Sequence, residues 1–90
     1  MALTINDDEK LFYVDDTPII LTKREYLLGK FFIENPNKIF SRQELIKSAL
    51  ESNVNERTVD VTIYRLRKKL GEEGKKLISR SGFGYGYMNK

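Results

Sequence analysis

The sequence has no cysteine and no histidine. The first absence excludes a disulfide framework and a thiolate metal site, and suits a cytoplasmic protein. The second removes the commonest general base and the commonest metal ligand. The acids sit mostly in turns and helix caps, and no nucleophile has a recognisable base beside it, so the reading is of a non-enzyme that needs no cofactor. Long apolar runs are also missing: Pro18–Leu21 and Phe31–Ile33 fall far short of a membrane span. Met1-Ala2-Leu3 leads straight into strand-like sequence, without the charged and apolar regions of a signal peptide.

What is present is a 90-residue chain, 40% hydrophobic and 32% charged, the balance of one soluble globular domain. Its charge of +3 is unevenly placed. Residues 1–40 carry a net −2 and residues 41–90 a net +5, while Arg57–Leu70 alone sets five cations against Asp60. Such concentration on one element is the footprint of a phosphate-contacting surface, although a solvated helix face has the same charge.

Leu3–Ile5, Lys10–Val14 and Pro18–Leu21 read as short strands separated by acidic turns, forming an antiparallel sheet over residues 1–21. Thr22 and Glu25 make a capping box before a first helix that presents Leu28, Phe31, Phe32 and Asn35 along one side. Gly29 in its middle suggests close approach of a neighbouring backbone. Lys38-Ile39-Phe40 reads as no more than a connecting strand. A second box, Ser41 and Glu44, opens a helix with Leu45, Ile46, Ala49 and Leu50 on its apolar side. Asn55 caps a third, which Gly71 ends. Lys76–Arg80 and Tyr85–Asn89 then close residues 76–89 as a hairpin. The predicted class is α+β: a sheet, a three-helix core over residues 22–70, and a hairpin.

Spacing the third helix at 100° per residue puts Val59, Ile63, Leu66 and Leu70 in one inward stripe. Opposite lie Arg57, Val61, Arg65 and Lys68, flanked by Thr58, Tyr64 and Lys69. Arginine bonds guanine bidentately, Val61 and Thr62 suit thymine methyls, and lysine suits phosphate. Thr58 lies in the first turn, where backbone N–H groups favour a phosphate oxygen. An amphipathic surface helix is the plainer reading. Against it stand Val61, apolar amid the charges, and the lack of interleaved acids.

Arg80–Tyr87 alternates glycine with aromatics. A base-stacking RNA strand is rejected because only Met88-Asn89-Lys90 follow, and a nucleotide loop because no helix follows. One tyrosine is expected to pack inward while the turn reaches outward.

From Leu21 to Tyr87 the chain resembles the effector domain of OmpR/PhoB-type response regulators. The matching residues are Leu21-Thr22, Glu25-Tyr26 and Leu28, then Ile39-Phe40-Ser41-Arg42 with Glu44-Leu45. They continue through Arg57-Thr58-Val59-Asp60-Val61, Ile63 and Leu66–Leu70 to the terminal Gly-x-Gly-Tyr. The resemblance implies a winged helix-turn-helix that binds double-stranded DNA sequence-specifically to regulate transcription in a two-component system. In such domains, positions matching Arg57, Thr58, Arg65, Arg67 and Lys68 touch bases or phosphates, and the wing reaches the minor groove. Candidate contacts from the wing and to the backbone are Arg42, Arg80, Ser81, Phe83, Gly84, Tyr85 and Tyr87.

The resemblance further implies a homodimer on tandem half-sites, a receiver domain preceding this module, and contact of the loop Glu51–Glu56 with RNA polymerase. The family's wing arginine falls at Phe83 or Ser81, depending on which glycine pair is aligned, with Arg80 close by. Leu50 stands where the family often has tryptophan, and Tyr64 where a basic residue is frequent. The alternative function is a winged-helix module that uses the same surface to bind an acidic protein.

Overall fold

A computed structural model describes residues 3–50 and 54–89. The chain opens with β1 (Leu3–Asn6), β2 (Leu11–Val14) and β3 (Thr17–Ile19), joined in that order into an antiparallel sheet. Leu3 faces Val14 and Phe12 faces Ile19. Only two residues connect β2 to β3, and Asp15 turns the chain there with a φ of 55°. The third strand is shorter than Pro18–Leu21. Pairing ends at Ile19, and Ile20 swings into solvent at 77% exposure as the chain turns towards the Thr22 cap.

Three helices follow: α1 (Lys23–Glu34), α2 (Arg42–Ser48) and α3 (Glu56–Leu70). Both predicted capping boxes are complete, with Thr22 and Ser41 each accepting from the third helical amide while Glu25 and Glu44 reach back. Asn55 caps α3 by accepting from the Thr58 amide at 2.9 Å. These local bonds satisfy amides that the helix itself cannot. Gly71 ends α3 at a φ of 61°, and a 3-10 helix (Gly71–Lys76) that the pattern did not show leads onward. It buries Glu73, whose carboxylate lies 3.2 Å from Lys76 Nζ.

The hairpin is β5 (Leu77–Arg80) and β6 (Gly84–Tyr87), each shorter than predicted because Lys76 closes the 3-10 helix and Met88 leaves the ladder. Lys38-Ile39-Phe40 proves more than a connector. Ile39–Phe40 forms β4, which pairs with β6 and makes the wing a three-stranded sheet in the order β4-β6-β5. The two glycines of β6 permit this: a Cβ on Gly84 would overlap the Phe40 carbonyl oxygen, and one on Gly86 that of Lys38.

The core forms where the sheet, α1, α2 and α3 meet, centred on Phe12, Leu28, Phe32, Leu45, Ile63 and Leu66. Along α1 the buried positions are Glu25, Tyr26, Leu28, Gly29 and Phe32, while Phe31 and Asn35 are half-buried. Phe31 packs edge-on against Phe40 at 4.8 Å. At Gly29 it is a ring and not backbone that comes close: a Cβ would stand 2.6 Å from Phe12 Cζ and 3.3 Å from Leu66 Cδ2. Gly29→Ala thus sets a helix gain of about 1 kcal/mol against overpacking of about 1–3 kcal/mol. The expected outcome is a net loss of about 1 kcal/mol in urea unfolding; a gain would mean that the Phe12 ring yields freely.

Candidate nucleic-acid interface

The surface that α3 offers is set by what it buries. Val59, Ile63, Leu66 and Leu70 are each at most 4% exposed and face the core, as their spacing requires. On the opposite side Arg57, Val61, Tyr64, Arg65 and Lys68 are exposed, with Val61 at 38% and Tyr64 at 58%. No acid lies among them. Among the described residues Arg57 and Arg65 have no hydrogen-bond or ion-pair partner. Lys68 Nζ lies 5.2 Å from the centre of the Tyr64 ring, a cation–π contact along the same face.

One flank of this face is closed by α2 and the wing. Asp60 accepts from Arg42 Nε at 2.7 Å and from the Tyr85 hydroxyl at 2.5 Å, so one carboxylate joins α2, α3 and β6. The Arg42 guanidinium also lies over the Tyr85 ring at 5.4 Å. Burial alone would raise the Asp60 pKa, but the Tyr85 hydroxyl and Arg42 outweigh it and hold it below the usual carboxylate value. Burial, reinforced by the Asp60 charge, pushes the Tyr85 phenol upward.

The other flank is closed by α1. Glu25, 2% exposed, accepts from Lys69 Nζ at 2.6 Å and from the Thr22 amide at 2.9 Å. Its burial is likewise outweighed by Lys69 and the Thr22 amide, which hold its pKa below 4.5. Between the start of α1 and the first three turns of α3 lies an open cleft of about 640 Å³.

Several expected contacts lie elsewhere. Thr62 is buried beside α1, and its hydroxyl donates to the Thr58 carbonyl at 2.7 Å instead of facing outward. Thr58 is half-buried, its hydroxyl donating to Asn55 Oδ1. Arg67 turns to the wing side, where Nε donates to the Leu77 carbonyl at 2.6 Å and ties α3 to β5. Tyr87 is 6% exposed in the core and Gly84 is buried under β4, so neither presents a surface. Tyr85 is half-buried. Arg80, Ser81, Gly82 and Phe83 form the exposed tip, with the Phe83 amide bonded to the Arg80 carbonyl and Phe83 75% exposed. One tyrosine inward and the turn outward is the expected arrangement. Of the loop Glu51–Glu56, residues 51–53 lie outside the described residues.

Lys23 and Arg24, on the cleft's α1 side, had no place in the sequence reading. They fall inside a capping box, and nothing in that pattern says which helix lies opposite. Among the described residues there is no acid, His or Cys cluster able to hold a metal, and no helix is long and apolar enough to cross a membrane.

Residues 16–88 match the family described as transcriptional regulatory protein, C terminal. The chain is similar to the transcriptional regulatory protein ResD of Bacillus subtilis, 35% identical over 92% of this chain and 37% of that one. It is also similar to the phosphate regulon regulator PhoB of Klebsiella pneumoniae, at 32% over 96% of this chain and 38% of that one. The chain thus spans about two fifths of the length of these relatives. Among solved structures it superposes on the DNA-binding domain of the response regulator AdeR, solved in complex with an intercistronic region. The TM-score there is 0.87 at 38% identity, covering 98% of this chain and 95% of that one. The DNA-binding domain of Bacillus subtilis CssR gives 0.85 at 28% identity, covering 97% and 100%.

The Glu25 carboxylate yields a pH test. Its pKa is depressed in the folded state, so its contribution is complete above the ordinary value of 4.5 and lost as pH falls through the folded value. Below about pH 4.5 the wild type is expected to lose stability more steeply than Glu25→Gln, which keeps the cap acceptor but cannot titrate. Parallel urea midpoints down to pH 3 would mean that the Lys69 pair contributes nothing.

Proposed function

The chain belongs to the OmpR/PhoB-type family of C-terminal DNA-binding domains of transcriptional regulatory proteins, and we propose that it reads a duplex by laying the outward face of α3 in the major groove. The family is regulatory and not enzymatic. A single observation carries the assignment of the reading face: Arg57, Val61, Arg65 and Lys68 are exposed together, with no acid among them and with the guanidiniums uncommitted among the described residues. A helix about 10–12 Å across fits a groove about 12 Å wide. Arg57 and Arg65 supply bidentate donors for guanine, Val61 meets a thymine methyl, and Lys68, steadied on the Tyr64 ring, meets a phosphate.

The wing tip, Arg80–Phe83, serves the adjacent minor groove, with Arg80 supplying the charge and Phe83 an apolar edge. Arg42 contacts the backbone through N–H groups beyond the Nε that Asp60 takes. Thr62, Tyr87 and Gly84 leave the proposed set because they are buried, while Arg67, half-buried with its Nε on the Leu77 carbonyl, contacts the backbone through its remaining N–H groups as Arg42 does. On the same assignment, residues 1–90 act as one winged-helix unit, in a cytoplasmic protein whose receiver domain precedes it. Two copies occupy tandem half-sites, and the loop Glu51–Glu56 meets RNA polymerase.

The test starts with selection of bound sequences from a random duplex library. Arg65→Ala is expected to cost about 1–3 kcal/mol on the selected site and to relax preference at one base pair. Lys68→Ala should weaken selected and random duplexes alike and lower the salt slope by about 1. If neither substitution alters binding, α3 is not the reading element. No binding to any duplex near ~50 mM salt would defeat the reading outright, because phosphate neutralisation alone gives measurable affinity there.

A further inference from the structure

The cleft between α1 and α3 has no role in the reading above. Lys23 and Arg24 line it from α1, and Arg57 and Arg65 from α3, with Leu27 and Val61 between them. Arg24, Arg57 and Arg65 have no hydrogen-bond or ion-pair partner among the described residues. The cleft's one carboxylate, Glu25, is buried and its charge is paired with Lys69, while the same oxygen takes the Thr22 amide. Of the first amides of α1, that of Glu25 is already bonded to Thr22 Oγ1. What distinguishes the place is three uncommitted guanidiniums around one concave surface.

Such a surface calls for an anion, and its form indicates which kind. At about 640 Å³ it is open and far too roomy for one phosphate ion, given about 30 Å³ for a single water. A helix in the major groove is bordered by a sugar-phosphate strand on each side, each carrying one charge per roughly 3.4 Å. On the helical wheel Asp60 and Arg67 project to the side held by α2 and the wing, and Thr62 and Lys69 to the side held by α1. The strand on the α1 side therefore has no partner from α2 or the wing.

We propose that the α1–α3 cleft seats the second sugar-phosphate strand of the duplex, with Arg24 as a phosphate contact supplied from outside the helix-turn-helix and the wing. The proposal rests on α3 lying in the major groove. It makes the domain a clamp: one strand is held by Arg42 and the wing, the other by Arg24 with the near sides of Arg57 and Arg65. Arg24 does not read sequence. It adds affinity equally on every site and fixes the tilt of α3 in the groove.

The experiment measures binding of the 90-residue chain to a selected duplex and to a scrambled one, by fluorescence anisotropy from 50 to 200 mM salt. It compares the wild type with Arg24→Ala, Arg24→Lys and Lys68→Ala, with thermal melting as the check on folding. Arg24→Ala is expected to lower the salt slope by about 0.9, so that its deficit against wild type shrinks about threefold across that range on both duplexes. Arg24→Lys should restore the slope. An unchanged slope for Arg24→Ala beside a reduced one for Lys68→Ala overturns the clamp and leaves the α3 reading intact. If Lys68→Ala is also inert, it is the α3 reading that has failed. Calorimetric titration with inorganic phosphate alone adds a further arm. Tight binding lost in Arg24→Ala, without any effect on duplex binding, would make the cleft a small-anion site and refute the proposal.

Discussion

The rotation of α3 about its own axis is the constraint from which everything else follows. Four aliphatic side chains fix it roughly, because Val59, Ile63, Leu66 and Leu70 must face the core together. Two carboxylates fix it finely, one on each flank. Asp60 reaches outward from α3 to hold Arg42 and Tyr85, and Glu25 reaches inward from α1 to hold Lys69. Hydrophobic burial is non-directional and would tolerate some roll of the helix. Short charge-assisted bonds on both sides would not. The outward cations owe their common direction to this arrangement.

The five cations of α3, set against the two acids Glu56 and Asp60, are divided between its flanks and its outward face. Lys69 and Arg67 are drawn to the flanks, one to Glu25 and one to the Leu77 carbonyl, and become structural. Arg57, Arg65 and Lys68 keep their charge for an outside partner. On the flanks Glu25 neutralises Lys69, whereas Arg67 is tied to a neutral carbonyl and keeps its charge beside the outward set.

Much of this division is legible in the sequence, and the reason is locality. The three helix starts depend on bonds within four residues, so Thr22 with Glu25, Ser41 with Glu44, and Asn55 announce them directly. The inward stripe of α3 is equally local, a matter of spacing. What spacing leaves out is the identity of the neighbour. It places Thr62 and Arg67 beside the outward face without showing that α1 would cover the first and β5 would claim the second. A two-residue strand such as Ile39–Phe40 carries no pattern of its own and becomes a strand only through its pairing with β6. The glycines at 84 and 86 stand out in the sequence, but their cause, a crossing carbonyl chain, is wholly tertiary. Arg24 is hidden for the same reason, since its importance comes from what stands across the cleft.

The crossing of β4 over the glycines of β6 has a consequence for how such a molecule can diversify. Ser41, the cap of α2, follows Phe40 directly, so the strand that clasps the wing is also the doorstep of the positioning helix. With no space for even a methyl group between the carbonyls of Lys38 and Phe40 and the β6 backbone, the two cannot slide past one another. The loop tip at Ser81–Phe83 is free to vary in length and chemistry, whereas the stem beneath it is locked to the helix-turn-helix. Drift in binding preference should therefore accumulate at the tip and along the outward helix, while the hinge between them stays frozen.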